Sequence, residues 1–265
     1  NHGIRFSVSI AVVGLAAGEV ASSVFCLRAF TNKRILNALT HFRFHGCLKH
    51  SRELLTLSIP LTASRVLLNI LQSIEAVSIP VRLQQHGILL SEALATYGVL
   101  TGMALPCILF PSAITNSVST MLLPTVAEIQ ALDNRKELSD LVNKVTYSCI
   151  FLGSICCVSL LCFGEWIGSI LFHSTLAGDY IITLAWMCPF LYTNNTLISI
   201  INGIGKTPLS LGINSASLGI RIASVFFLIP AFGIEGYLWG LLVSQVLTFL
   251  FCLIYLKYYL HRQNL

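Results

Sequence analysis

Apolar stretches long enough to cross a membrane follow one another along almost the whole chain. One crossing takes about 20 residues, because the hydrocarbon core is about 30 Å thick and each helical residue rises about 1.5 Å. Charged residues make up only 10% of the sequence, whereas they make up about a quarter of an ordinary soluble domain. The sequence therefore predicts an all-α, polytopic transmembrane helical bundle.

Windows of about 19 residues predict about seven helices. They cover Ile4–Phe30, Leu54–Val81, Ala95–Leu123, Val145–Phe163, Tyr180–Gly203, Leu209–Ile229 and Gly236–Tyr258. Residues 31–53 are too rich in charge and histidine to enter lipid, so they predict a linker between two bundles. Residues 128–144 place apolar side chains at helical spacing among charged ones, which suggests a helix lying at the membrane interface.

The basic residues indicate an orientation, since cytoplasmic loops collect Lys and Arg. With the N-terminus outside, seven helices place twelve basic residues on the inner side: Arg28, Lys33, Arg34, Arg43, Lys49, Arg52, Arg135, Lys136, Lys144, Lys206, Lys257 and Arg262. The outer side receives only Arg5 and Arg82. The net charge of +5 therefore reports topology rather than a nucleic-acid partner, and residues 259–265 are expected to form a cytoplasmic tail.

The sequence contains no motif of a soluble enzyme. It has no GxSxG elbow, Walker loop or HExxH helix. The nine cysteines lie almost entirely in apolar stretches, without a CxxC pair or a histidine at metal-ligand spacing, so they are interpreted as small buried hydrophobes. No catalytic residue, metal or cofactor is predicted, and transport is favoured over catalysis.

Three charged residues fall near the middle of predicted helices, where a charge is costly and normally faces a bundle interior or a watery cavity. Glu19, Arg65 and Arg221 each lie about 16 to 18 Å from the predicted cytoplasmic helix ends, close to the bilayer midplane. Two helices carry polar stripes at helical spacing. The stripes are Ser58, Thr62, Arg65, Asn69, Gln72 and Glu75 on the second helix, and Asn214, Ser217, Arg221 and Ser224 on the sixth.

These stripes predict a substrate-binding site formed by Arg65, Arg221, Asn69, Gln72, Asn214 and Ser217. Glu19 and Glu75 are predicted to act as counter-charges or in ion coupling, with Glu19 facing Arg65. The hydroxyls and amides equally suit interhelical packing, in which small polar side chains form hydrogen bonds between helices. The third helix carries Pro106, Pro111 and two glycines, which favours a bend there.

The run from residue 51 to residue 128, which begins SRELLTLSIPLTASRVLLN, resembles the polysaccharide exporters of the multidrug/oligosaccharidyl-lipid/polysaccharide (MOP, MATE-like) superfamily, including sporulation proteins. The resemblance continues through NGIGKTPLSLGINSASLGIRI at 202–222 and FGIEGYLWGLLVSQ at 232–245. It implies two six-helix lobes around a central cavity. Residues 1–30 would be the last helix of the N-lobe, 31–53 the cytoplasmic interlobe linker and 54–258 the six-helix C-lobe.

By the same resemblance, the chain is expected to be a flippase of the bacterial cytoplasmic membrane. Its cargo would be a lipid-linked oligosaccharide or lipid pyrophosphate for peptidoglycan or polysaccharide, moved by alternating access in spore cortex formation. Two midplane arginines suit a pyrophosphate, which prefers positioned guanidinium donors. The chain starts at Asn1 rather than Met, so we expect a fragment whose partners are the missing N-lobe and the membrane lipids.

Alternative functions remain open at this point. A cation-coupled multidrug antiporter of the same superfamily would rely on membrane acids, which Glu19 and Glu75 supply. A non-transporting scaffold for cell-wall enzymes would need no polar layer at the midplane. A receptor would also suit seven helices, but neither a DRY nor an NPxxY string stands at the expected helix ends.

Overall fold

The computed structural model describes residues 13–14, 16–25, 28, 44–132 and 134–262. Two compact units divide the chain, Asn1–Thr62 and Ala63–Leu265. In the first unit, residues 16–25 are helical and exposed. The described residues contain helices and turns but no strand, so the all-α prediction is confirmed.

From residue 44 onward, the structure contains ten α-helices and one π-helical turn. The helices are α1 (Phe44–Gln85), α2 (Leu90–Val99), α3 (Leu105–Leu109), α4 (Ser112–Ala131), α5 (Arg135–Ile170), α6 (Thr175–Ala185), α7 (Cys188–Gly203), α8 (Thr207–Phe227), α9 (Ile229–Phe232) and α10 (Ile234–Arg262). The π turn, Leu100–Ala104, joins α2 to α3.

The helices of the second unit run up and down between two ends, which we name after one loop residue each. At the His86 end, His86 Nδ1 lies 3.0 Å from the carbonyl oxygen of Pro230. At the Lys206 end, Gln130 donates to the hydroxyl of Tyr259 at 3.1 Å. Consecutive long helices therefore alternate in direction, as expected of a polytopic bundle.

Among the described residues, five helical segments are long and apolar enough to span a membrane: Arg65–Gln85, Leu90–Leu109, Arg135–Ile170, Thr207–Phe227 and Ile234–Leu260. Much of the predicted first helix, Ile4–Phe30, lies outside the described residues, so the count of seven stays a prediction. Large apolar side chains point outward from the second unit, including Phe110, which is 82% exposed, and Phe227, which is 77% exposed. An apolar exterior of this kind suits contact with lipid.

The predicted third helix, Ala95–Leu123, differs from the structure because its prolines interrupt it. Leu105 N donates to Leu100 O across the π turn, just before Pro106, which has no N–H to donate to Gly102. Pro111 likewise cannot donate to Cys107, and the helix breaks there before α4. The helix is therefore interrupted at the prolines, whose missing N–H groups account for both irregularities.

The predicted fifth helix, Tyr180–Gly203, begins earlier in the structure and is split into α6 and α7. Pro189 follows the split and cannot donate to Ala185, which breaks the hydrogen-bond ladder. Gly153 of α5 lies against this point, where an added Cβ would stand 2.5 Å from Pro189 Cα. A larger residue would push the two helices apart.

The prediction of a separate interfacial helix at 128–144 is wrong. Helix α4 continues to Ala131 and α5 begins at Arg135, so most of these residues belong to the ends of two long helices. The side chain of Asn134 caps α5 by accepting from Glu137 N at 3.4 Å. Helix α1 also begins at Phe44, earlier than the predicted Leu54.

Two apolar cores hold the second unit together. The first includes Leu83, Leu100 and Tyr192 on the His86 side, and the second includes Val126 and Ile201 on the Lys206 side. The buried polar side chains among these apolar residues, which include Glu75, Asn194 and Ser224, are called the polar layer of the lobe.

Candidate functional site

The part of the α1 stripe that lies in the second unit is exposed except at Glu75. Arg65, Asn69 and Gln72 are exposed, whereas Glu75 is buried. No described residue forms an ion pair or hydrogen bond with the Arg65 side chain. The predicted stripe therefore divides into an exposed part and one buried acid.

Glu75 is buried because of its position on α1. The lobe-facing side of this helix continues through Ile79 and Leu83, at steps of four residues, and both are almost completely inaccessible. Glu75 occupies the preceding position of the same face. The helix period that places Ile79 and Leu83 in the core thus places a carboxylate there too.

The α8 stripe turns toward the interior. Asn214, Ser217 and Arg221 are half-buried and Ser224 is buried. The Arg221 side chain keeps 27% of its surface exposed, against 5% for Glu75. Of the two predicted arginines, Arg221 is therefore the one that the lobe encloses.

Glu75, Arg221 and Tyr237 form a cluster that joins three helices. Arg221 Nε lies 2.9 Å from Glu75 Oε1, in an ion pair whose N–H direction is off the line of a hydrogen bond. The Tyr237 hydroxyl donates to the same Glu75 oxygen at 2.8 Å, and Arg221 Nη2 donates to that hydroxyl at 3.3 Å. A carboxylate, a guanidinium and a phenol thus close a small ring.

The cluster depends on a close approach of α8 and α10. A Cβ on Gly240 would stand 2.3 Å from Ser224 Cβ, so only glycine lets the helices meet this closely. Ser224 lies one turn from Arg221, and its hydroxyl donates to Arg221 O at 2.7 Å. Tyr237 lies one turn from Gly240 and reaches the guanidinium across the interface.

This arrangement changes the expected electrostatics of the site. Arg221 and Glu75 compensate each other, so the cluster carries no net charge, and the arginine that the sequence assigned to a pyrophosphate already has a carboxylate partner. Glu19, the acid predicted to pair with Arg65, belongs to the first unit. The cargo-binding and counter-charge roles of these residues stay predictions.

Sequence reasoning missed Tyr237, which no polar stripe contains. It also missed a buried amide pair in which Asn194 Nδ2 donates to Gln245 O at 2.9 Å and to Gln245 Oε1 at 2.8 Å. A neighbouring bond joins Asn195 Nδ2 to Asn116 Oδ1 at 3.1 Å. The run TNNT at 193–196, inside an apolar helix, was a usable signal for this polar layer.

Asn194 Oδ1 is buried without a hydrogen-bond partner among the described residues. Those residues also contain no group of three or more His, Cys, Asp or Glu side chains arranged to hold a metal ion. The polar layer of the lobe is therefore built from amides, hydroxyls and the single Glu75–Arg221 pair.

Comparison with known proteins agrees with the resemblance seen in the sequence, although no family model matches the chain. Stage V sporulation protein B of Bacillus subtilis is 24% identical over 253 residues, covering 93% of this chain and 48% of that protein. Sporulation protein YkvU of the same bacterium is 28% identical over 131 residues, covering 49% and 29%. The chain thus spans about half the length of Stage V sporulation protein B.

A solved MOP superfamily transporter from Pyrococcus furiosus has a similar fold, with a TM-score of 0.56 and 18% identity. The match covers 75% of this chain and 44% of that transporter. The chain therefore shares the fold of this transporter, and its long apolar helices support a multi-pass membrane protein.

Proposed function

We propose that this protein forms the C-lobe of a MOP flippase that moves a lipid-linked sugar precursor of peptidoglycan or polysaccharide across the cytoplasmic membrane. The observation that carries the proposal is the Arg221 side chain, which lies inside the lobe and still keeps 27% of its surface exposed. A pyrophosphate linker binds best to such positioned donors, because guanidinium and phosphate groups match in geometry and charge.

Arg221 retains donors for a second ligand. A guanidinium has five N–H groups, whereas Glu75 contacts Nε and Tyr237 contacts Nη2. Nη1 has no partner among the described residues and is not enclosed. Glu75 and Tyr237 thus hold one edge of the guanidinium, and the other edge is available to a phosphate oxygen.

Arg65 supplies the second positive charge in this proposal. It is exposed on α1, with Asn69 and Gln72 following on the same stripe. An exposed cation near hydroxyl and amide groups suits the phosphate and sugar parts of one cargo. The other wall of the cavity would come from the N-lobe, to which residues 1–30 are assigned, with 31–53 as the linker.

The sporulation role of the proposal depends on the two Bacillus relatives, both of which are named as sporulation proteins. We propose that the cargo is a cell-wall precursor used for the spore cortex. The C-terminus would be cytoplasmic, because Arg135, Lys136, Lys206 and Lys257 lie at the Lys206 end and basic residues collect inside.

Transport assays on the full-length protein would test the proposal. Arg221→Gln and Arg65→Gln should each slow flipping of a labelled lipid-linked sugar by at least about tenfold, the factor that about 1.4 kcal/mol of lost binding gives. Arg82→Gln is the matched control, because Arg82 packs over the Phe226 ring, 4.3 Å from its centroid, away from the cluster.

Normal flipping by both folded glutamine variants would reject the assignment of the arginines. Arg221→Lys should restore only part of the rate, since lysine keeps the charge but loses the planar fork. The control variant should flip at the rate of the parent protein.

A cation-coupled antiporter is the second candidate, and the observation that favours it is the buried carboxylate of Glu75. A coupling ion would have to compete with Arg221, which already compensates that charge at 2.9 Å. Drug efflux driven by an ion gradient and abolished by Glu75→Gln, without any flipping of lipid-linked sugar, would support this second candidate over the first.

A further inference from the structure

An open groove between α4 and α5 lies within the second unit and is separate from the Glu75 cluster. Its volume is about 480 Å³. Most of the lining residues are apolar, with a few hydroxyls: Ile114, Thr115, Val118, Met121, Leu122, Thr125, Leu141, Val145, Ser148, Cys149 and Leu152. Lys144 is the only charged residue among the described lining residues.

The groove has the length of one lipid leaflet. Its α4 wall runs from Ile114 to Thr125 and its α5 wall from Leu141 to Leu152, and eleven helical steps in each case give about 16 Å. Half of the hydrocarbon core is about 15 Å. A single extended acyl chain therefore matches the groove in length and in chemistry.

Lys144 lies at the Lys206 end of the groove, because α5 begins at that end. Its level can be read from one contact and one shared core: Gly203, which ends α7, lies against Val126, and Val142 belongs to the same apolar core as Val126 and Ile204. This end of the groove therefore lies near the level at which α7 ends and the chain turns into α8. A lysine there extends its ammonium group toward the lipid headgroups.

The positive charge of Lys144 favours a lipid with an anionic headgroup. Its side chain is exposed, and no described carboxylate lies within ion-pair distance of it. An anionic headgroup would form an ion pair with the Lys144 ammonium group. Thr125 and Ser148 also line the groove and place hydroxyl groups beside the part of the acyl chain nearest the headgroup. A zwitterionic lipid would fill the apolar groove but would gain less from the lysine.

We propose that the α4–α5 groove is a specific site for one anionic phospholipid of the surrounding bilayer. One acyl chain lies along the apolar walls and the phosphate contacts Lys144. The site uses none of the residues assigned to cargo, so it goes beyond the proposed function and is tested without a transport assay.

Native mass spectrometry of the delipidated protein would test the site by titration with phosphatidylglycerol and phosphatidylcholine of equal chain length. Lys144→Ala should weaken phosphatidylglycerol binding about fivefold, as expected for the loss of one lysine at an anionic headgroup. It should leave phosphatidylcholine binding unchanged. Lys257→Ala removes an exposed lysine at the same end but outside the groove, and it should change the binding of neither lipid.

A second pair of variants tests the chain-binding part of the groove. Val118→Trp fills it and should abolish specific binding of both lipids, whereas Val158→Trp, on an exposed lipid-facing position of α5 outside the groove, should not. Unchanged lipid binding in Val118→Trp, or an unchanged lipid preference in Lys144→Ala, would overturn the proposal. A dimer that Val118→Trp dissociates would do so too, because a second copy would then cover the groove.

Discussion

At the residue scale, the ring of Glu75, Arg221 and Tyr237 concentrates the polar chemistry of the lobe. Each of the three residues comes from a different helix. A buried ion pair gains little net free energy over apolar packing, but removal of one partner leaves an uncompensated charge. The cluster is therefore better suited to holding Arg221 in a defined position than to adding stability.

The Glu75–Arg221 ion pair predicts that the stability losses of its two single variants are not additive in a double-mutant cycle. Glu75→Gln and Arg221→Gln should each lower the free energy of unfolding by about 3 to 5 kcal/mol, because each leaves a buried charge without its partner. The double variant should lose less free energy of unfolding than the sum of the two single losses. Thermal unfolding in detergent measures this, and strictly additive losses would contradict the pairing.

Tyr237→Phe tests the third member of the ring. It removes the hydroxyl that donates to Glu75 and accepts from Arg221, and should cost about 1 to 3 kcal/mol, the range for leaving buried polar groups unsatisfied. Tyr258→Phe is the control, since Tyr258 lies on the same helix and is 58% exposed. Equal stability of the two variants in the same unfolding assay would mean that the bridge contributes nothing.

At the element scale, prolines and glycines decide where helices break and how closely they pack. Pro106, Pro111 and Pro189 each lie at an irregularity of the long helices, where the missing N–H leaves a carbonyl without its donor. Gly153 and Gly240 occur where a neighbouring helix comes too close for a Cβ. The two residue types thus set helix shape and helix spacing separately.

Gly153→Ala should destabilise the lobe, because the new Cβ would stand 2.5 Å from Pro189 Cα. We expect a loss of about 1 to 3 kcal/mol, as for overpacked cores. Gly212→Ala on α8 is the matched control: nothing lies within 4 Å of its Cβ position, and alanine favours helix by about 1 kcal/mol. A lower melting temperature for Gly212→Ala than for Gly153→Ala would contradict this account.

At the scale of the whole molecule, the up-and-down course of the helices separates the charges. The described residues of the Lys206 end include Arg135, Lys136, Lys206 and Lys257, while Arg82 is the basic residue near the His86 end. This separation follows from the alternating direction of the helices, and the orientation derived from the positive-inside rule stays a prediction.

Cysteine labelling would check that orientation. Cysteines introduced singly at Asn134 and His173, in a background without native cysteines, lie in exposed turns at opposite ends of the second unit. We expect an impermeant reagent to label position 173 from outside and position 134 only after permeabilisation. The reverse pattern would invert the topology, and labelling of both from outside would contradict the transmembrane assignment of α5.

The sequence by itself determined that the chain is an all-α membrane protein, because runs of apolar residues and scarce charges leave no other low-energy fold in lipid. It also identified Arg221 and Glu75 as polar positions of membrane helices, since the helix period is readable from one segment at a time. The sequence could not show that Glu75 and Arg221 form an ion pair. They lie 146 positions apart in the chain, and Tyr237, which bridges them, carries no local polar pattern.

Only the tertiary structure decided which polar residues meet. The contact depends on the approach of α8 to α10 at Gly240 and on the rotation of α1 that buries Glu75 with Ile79 and Leu83. Both arise from side-chain packing between segments distant in sequence, which no single-helix pattern encodes. For the same reason the sequence could not predict the α4–α5 groove. The groove is the space between two helices, and the sequence of each helix indicates only an apolar segment.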